Sequence, residues 1–198
     1  MSERPPEQRI ESYPHRLLDA WRPALPDGRI ERIYTHWSGH DYASVFPSYH
    51  ICVALAPNGG VLVVETNDVR ANMRDVYAQP DLPYAAHTYR RNSFALGVSM
   101  MAMLDATPHD FGRYPLTEAL VHGLCVVTAR LARHYGVPLD AEHVMSHAEA
   151  AVLDGYFGCG DDERWDVARL RAEPRALEAR DAREIGDALR TKMRGALE

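Results

Sequence analysis

The feature that most constrains the fold is an almost uninterrupted apolar run, SFALGVSMMAML, at residues 93–104. Such a run predicts a strand that is buried on both faces, near the centre of a sheet. A buried central strand needs covering layers, and residues 117–136 predict a helix that can supply one. Thr117 can cap the start of this helix and Gly136 can end it.

Further strands are predicted before and after the central run. Residues 29–37 are rich in β-branched and aromatic side chains, and residues 49–65 predict a hairpin around the turn Pro57-Asn58-Gly59-Gly60. Residues 143–147 predict a short strand that leads into a helix. Strands that alternate with helices predict an α/β domain in which a mixed central sheet is flanked by helices.

The chain divides into three predicted parts. Residues 1–28 are polar and proline-rich and predict an N-terminal extension, and residues 29–172 form the predicted domain. Residues 173–198 predict a C-terminal helix with a narrow apolar stripe. We expect this helix to pack on the domain, with a dimerisation helix as the alternative. The oligomeric state stays open.

Composition excludes some classes of function. The formal charge of −6, from 28 acidic and 22 basic residues, argues against a nucleic-acid binder. Three widely spaced cysteines do not predict a disulfide framework. No apolar run approaches the roughly 20 residues that span a bilayer. The N-terminus lacks the apolar core of a signal peptide, so we expect synthesis in the cytoplasm, with release or delivery for any action on a cell wall.

Two histidines are the leading candidates for a functional site. His36 and His147 each end a β-rich segment, and adjacent strands would bring these ends together. Asp161 follows His147 after a glycine-rich turn, which can fold a carboxylate back over the strand ends. Two imidazoles and one carboxylate are a ligand set of catalytic zinc, with the fourth position open to water. Histidines and aspartates also occur at strand ends without any metal.

A set of ordered segments adds a family resemblance. The chain contains, in this order, YTHWS, SYHICVALAPNGGVLVV, AAHTYRRNSFALGVS, PLTEALVHGLCVVTARLARHYGVP, and HVMSHAEA with GDDERWD. Together these segments, which span roughly residues 30–170, resemble the zinc-dependent N-acetylmuramoyl-L-alanine amidase and peptidoglycan recognition family. The resemblance implies an amidase-like fold with Zn²⁺ bound by His36, His147 and Asp161. Cys159 is a rival third ligand because some members use a thiolate, and Asp154 and Asp162 stay open as shifts of register.

The resemblance also implies a reaction and further site residues. The substrate would be the amide that joins N-acetylmuramic acid to L-alanine in peptidoglycan or muropeptides, hydrolysed by a metal-activated water. Tyr49 could donate a hydrogen bond to the oxyanion or water, His87 could contact the substrate, and Glu149 could support a zinc ligand. The structural alternatives are a packed strand tyrosine, a loop histidine and an acid in the first turn of a helix.

Two departures from the family pattern concern the second catalytic group. Ser99 stands where many relatives have a glutamate, and the only lysine is Lys192, far from the third ligand. Arg164, Glu149 and His87 are the candidate replacements. The sequence therefore predicts a zinc amidase that could serve as a lysis enzyme, an antibacterial effector or a recycling enzyme. The alternatives are a non-catalytic muropeptide-binding module and a zinc hydrolase of the same fold that acts on another amide.

Overall fold

The computed structural model describes residues 8–197. Within this range the chain is an α/β fold with a mixed six-stranded sheet, a two-stranded sheet and three α-helices. This confirms the predicted α/β class with a mixed central sheet. The strands are β1 (Gln8–Arg9), β2 (His15–Leu17), β3 (Arg32–Trp37), β4 (Ser44–Val45), β5 (Ile51–Leu55), β6 (Val61–Glu65), β7 (Ala95–Met100) and β8 (Val144–Ser146). The helices are α1 (Glu118–Tyr135), α2 (His147–Asp154) and α3 (Ala179–Gly195).

The six-stranded sheet has the order β2-β6-β5-β7-β3-β8. The β7 strand lies between β5 and β3 and is parallel to both, whereas β6 is antiparallel to β5 and to β2. All six residues of β7 are buried. This confirms the prediction of a central strand covered on both faces, although the strand ends at Met100, before the apolar run does.

The two faces of the sheet have different chemistry, because side chains alternate between faces along each strand. One face contributes apolar side chains such as Ile33, Val53 and Val98 to the main core, together with Leu124 of α1. On the opposite face His36, Ser99 and Cys52 lie side by side on β3, β7 and β5. The polar face is therefore the one that can hold a functional site.

The described part of the predicted N-terminal extension packs as a piece of the domain. The β2 strand forms one edge of the central sheet by pairing with β6. Trp21 is only 1% exposed, and its indole N–H donates a hydrogen bond to Glu65 at 3.0 Å. Residues 1–7 of the predicted extension, like residue 198 of the predicted tail, lie outside the described residues.

The C-terminal helix α3 packs against α1 and α2. Leu189 and Met193 of its apolar stripe are buried, but so are the charged side chains of Asp181 and Arg190, which the stripe does not predict. No helix within residues 8–197 is long and apolar enough to cross a membrane.

Candidate metal site

The strand register places two histidines next to each other. The β3 and β8 strands are parallel neighbours in which Thr35 pairs with Ser146, so the next residues along the chain, His36 and His147, lie at the same edge of the sheet. The hydroxyl of Ser146 accepts the N–H of Glu149 at 3.1 Å, and the Glu149 carboxylate accepts the N–H of Ser146 at 2.8 Å. This capping box makes His147 the first residue of α2.

A buried aspartate completes the group. The Nδ1 atoms of His36 and His147 are 3.2 Å apart, and Oδ2 of Asp166 lies 3.1 Å from each of them. The exposed fractions of His36, His147 and Asp166 are 0%, 7% and 7%. One nitrogen or oxygen atom from each of the three residues therefore faces a common point, and the group could bind a metal ion.

The spacing of these atoms fits a tetrahedral divalent ion. Ligand atoms at about 2.0–2.1 Å from such an ion are about 3.3 Å from one another. The three observed separations, 3.1 to 3.2 Å, are close to that value. Two imidazole nitrogens and a carboxylate also supply three of the four ligands that such an ion needs. The residues present therefore fit a bound metal.

The expectation that Asp161 is the third ligand is not met. Asp161 is exposed, and its main-chain oxygen accepts a hydrogen bond from the Arg164 guanidinium at 3.0 Å. A bridge between Phe157 and Arg164 closes the glycine-rich loop, so the chain returns to the strand ends only after Arg164. Asp166 is the first acidic residue beyond that point. In the sequence, the aspartate that marks this position is the one in Arg164-Trp165-Asp166, and not Asp161.

The other proposed third ligands also lie outside the group. Cys159 and Asp162 are exposed, although Cys159 lines the cleft beside the group. The Asp154 carboxylate accepts two hydrogen bonds from Arg91, at 2.6 and 2.7 Å. None of the three belongs to the three-residue group formed by the described part of the chain.

Glu149 stabilises the start of α2, which carries His147, and does not line the cleft. Its carboxylate accepts hydrogen bonds from Arg190 at 2.9 and 3.1 Å in addition to the N–H of Ser146. The side chain is buried against α3. The structure therefore does not place Glu149 where it could touch a substrate, and both of its carboxylate oxygens already accept hydrogen bonds.

Tyr49 and His87 do lie beside the group. Both line an open cleft of roughly 710 Å³ that also borders His147 and Asp166. The ring of Tyr49 is 5.1 Å from the ring of His36, and the ring of His87 is 5.5 Å from it, measured between centroids. Burial, with the nearby charge of Asp166, raises the pKa of Tyr49 well above its usual range, so its hydroxyl stays protonated.

The loop that carries His87 is fixed by a side-chain amide. Oδ1 of Asn92 accepts the main-chain N–H groups of both His87 and Thr88, each at 3.0 Å. The His87 ring packs directly on the backbone of Gly97, where an added Cβ would lie 2.5 Å from the ring. Only glycine allows this approach. A second buried amide, Asn72, which the sequence did not indicate, holds the same loop by bonds to Ala85.

The electrostatics of the group suit metal binding at neutral pH. Burial lowers the pKa of His36 to about 4, so the ring is neutral at pH 7 and one of its two nitrogens is free to bind a metal ion. Burial alone would raise the pKa of Asp166, but the interactions of its carboxylate with the imidazoles of His147 and His36 hold that pKa below the usual range. A neutral imidazole and an ionised carboxylate are the forms that bind metal.

We expect the free energy of unfolding of the metal-free protein to fall as the pH is lowered from about 6.5 to about 4. Burial lowers the pKa of both His36 and His50 to about 4 in the folded protein, whereas histidines titrate near 6.5 in unfolded chains. The unfolded chain binds more protons in this window, so stability rises with pH. The lowered pKa of Asp166 changes the free energy of unfolding only below about pH 3.8, the ordinary pKa of an aspartate, and so outside this window.

Denaturant unfolding in the presence of a chelator, at a series of pH values, measures this dependence. His50→Asn removes one of the titrating groups without touching the candidate ligands, and should reduce the slope by up to about 1.4 kcal/mol per pH unit. His122→Asn, which replaces an exposed histidine on α1, is the matched control. Maximal stability near pH 4 would contradict the expectation.

Comparison with known proteins adds no assignment. No protein-family model matches the chain, and no curated protein matches it.

Proposed function

We propose that the chain is a zinc-dependent amidase that hydrolyses the bond between N-acetylmuramic acid and L-alanine in peptidoglycan or muropeptides. The observation that carries the proposal is the buried group of His36, His147 and Asp166 at the side of an open cleft. The ordered segments that resemble the amidase family support the choice of substrate. The mixed α/β fold is compatible with an amidase-like domain.

Zinc is the metal we propose for this group, because two imidazoles and one carboxylate are a ligand set of catalytic zinc sites. The ion would be held by Nδ1 of His36, Nδ1 of His147 and the Asp166 carboxylate. When bound in such a site, zinc lowers the pKa of a water ligand towards about 7 and polarises a substrate carbonyl. We propose that side chains of the cleft bind and orient the substrate and donate hydrogen bonds to it.

A hydrogen-bond chain links a ligand to His87. If Nδ1 of His36 binds metal, Nε2 carries the proton, and its nearest partner is the Thr88 hydroxyl at 3.4 Å. The same hydroxyl lies 2.9 Å from Nδ1 of His87 and can donate its proton there. His87 then carries its own proton on Nε2, a buried atom that has no hydrogen-bond partner within residues 8–197. We propose that this N–H donates to the carbonyl oxygen of the substrate.

Thr88→Val tests this chain, because valine keeps the shape of threonine and lacks the hydroxyl. We expect kcat to fall about ten-fold, the equivalent of one hydrogen bond of roughly 1.4 kcal/mol, with little change in KM. Steady-state kinetics on a purified muropeptide measure both constants. Thr88→Ser, which retains a hydroxyl, should stay close to the wild type. Equal kcat values for the valine variant and the wild type would contradict the proposed tautomer of His87.

Two other side chains of the cleft complete the proposed site. Tyr49 keeps its hydroxyl proton and can donate a hydrogen bond to an oxyanion. Arg164 lines the cleft two residues before Asp166, and its positive charge interacts with the Tyr49 hydroxyl. We propose Arg164 as the cation that replaces the lysine of some relatives. Ser99 is fully buried beside His36 on the neighbouring strand, in the place where many relatives have a glutamate.

Digestion of purified peptidoglycan sacculi tests the proposed function. The zinc-loaded protein should release stem peptides that carry new amino-terminal L-alanine, and a chelator should stop the release. Binding to sacculi without cleavage would instead identify a muropeptide-binding module. Zinc binding without action on sacculi or on muropeptides would point to a hydrolase of another amide.

A further inference from the structure

We infer that the C-terminal helix α3 is a brace that positions two of the three candidate metal ligands, His147 and Asp166, through the buried residues Arg190 and Asp181. This inference rests on the metal site of the proposed function. Arg190 and Asp181 are positioning residues, because neither belongs to the metal-binding group nor lines the cleft. Each forms a buried ion pair with a residue that lies two or three positions beyond a ligand.

The first ion pair holds the segment that carries His147. The guanidinium of Arg190 donates to both carboxylate oxygens of Glu149, at 2.9 and 3.1 Å, and to the main-chain oxygen of Val144 at 2.9 Å. Val144 begins β8 and Glu149 closes the capping box on Ser146. One side chain of α3 therefore binds the backbone before His147 and the side chain of Glu149 after it.

The second ion pair holds the segment that carries Asp166. The guanidinium of Arg169 donates to Oδ2 of Asp181 at 2.9 and 3.2 Å, and to the main-chain oxygen of Ala176 at 2.7 Å. Arg169 is only 2% exposed and Asp181 only 1%. Asp181 also accepts the N–H of Glu178, at the start of α3. The turn after Asp166 is thus tied to the first turn of the helix.

The backbone after Asp166 needs such support. Val167 is buried and has φ of 65°, a left-handed conformation that is strongly disfavoured for a β-branched residue. Strained conformations persist only where the surrounding structure fixes them. Arg169 lies two residues further on, and the N–H of Ala148 in α2 donates to the main-chain oxygen of Asp166 at 3.0 Å. The strained residue, Val167, therefore lies between the candidate ligand Asp166 and Arg169, which is bound to α3.

Stability alone is a weak reason for these ion pairs, because well-packed apolar residues often serve a core equally well. A charged pair with several directed hydrogen bonds instead fixes one geometry. The packing of α3 also favours one geometry. Gly186 lies directly against the Glu149 carboxylate, so there is no room for a Cβ at this position. The helix is thus shaped around the residue that caps the ligand segment.

Metal binding by the full chain tests the brace without any substrate. Zinc affinity is measured by competition with a chromophoric chelator, and the ligand geometry by the visible absorption of the Co²⁺-loaded protein. Arg190→Lys keeps the charge but cannot reproduce the forked contacts, and Gly186→Ala displaces Glu149 although alanine favours a helix. Asp181→Asn weakens the other pair. We expect each variant to bind zinc about ten-fold more weakly and to show an altered Co²⁺ spectrum.

A core variant of similar thermal stability is the matched control. Val127→Ala truncates a fully buried side chain of α1 that is not a member of either ion pair, and its zinc affinity should stay within about two-fold of the wild type. If all three brace variants show the zinc affinity and the Co²⁺ spectrum of the wild type, the inference is overturned, but the proposed function is not. An equal loss of affinity in Val127→Ala would also overturn the inference. If the wild-type chain binds neither ion, the proposed function is overturned together with the inference.

Discussion

His147→Ala is expected to abolish metal binding and hydrolysis while the protein stays folded. The substitution removes one of the three candidate protein ligands, and even the loss of an outer partner of a ligand typically weakens metal binding about 10- to 100-fold. We expect kcat/KM on muropeptides to fall at least roughly a thousand-fold, which corresponds to about 4 kcal/mol. His147 lies at the first position of α2, outside the main apolar core, so the fold should survive.

Zinc content, far-UV circular dichroism and muropeptide hydrolysis together measure this outcome. His122→Ala is the matched control, because His122 lies on α1 at an exposed position away from the cleft. It should retain both zinc and activity. A His147→Ala variant that cleaves muropeptides at the wild-type rate would show that the active site is elsewhere.

Asp166→Asn is expected to have an effect of similar size. Asparagine matches aspartate in shape but carries no charge, and a neutral amide is a poor zinc ligand. The variant also loses the charge that faces the two imidazoles at 3.1 Å. We expect zinc affinity to fall at least about 100-fold, with hydrolysis falling in proportion.

The same experiment separates the candidate third ligands. Asp161→Asn alters an exposed residue outside the group, and Cys159→Ser alters an exposed thiol at the margin of the cleft. Both should bind zinc within about two-fold of the wild type. Zinc loss in either variant, with zinc retained by Asp166→Asn, would reverse the assignment made from the structure.

The sequence was sufficient for features that depend on local pattern. The apolar run at β7, the capped helix α1 and the hairpin of β5 and β6 were all predicted, because burial and turn chemistry leave their mark on adjacent residues. The meeting of His36 and His147 was also foreseen. It requires only that the ends of two strands share one edge of the sheet, which the parallel pairing of β3 and β8 provides.

The remaining features depend on contacts between distant residues, which local pattern does not reveal. The choice of Asp166 over Asp161 depends on where the loop closes, and that is set by the bridge from Phe157 to Arg164. Glu149 was expected in the site, yet the spacing from Ser146 to Glu149 is that of a capping box, a signal that was available. Its partner Arg190 is 41 residues away, so the buried pair could not be predicted from spacing.

Anomalous X-ray diffraction at the zinc edge, from crystals of the protein purified without added metal, shows whether His36, His147 and Asp166 bind one zinc ion. A single strong peak is predicted at about 2.0–2.2 Å from Nδ1 of His36, Nδ1 of His147 and a carboxylate oxygen of Asp166. No peak at this point, or a peak bound by other residues, would contradict the assignment of the metal site.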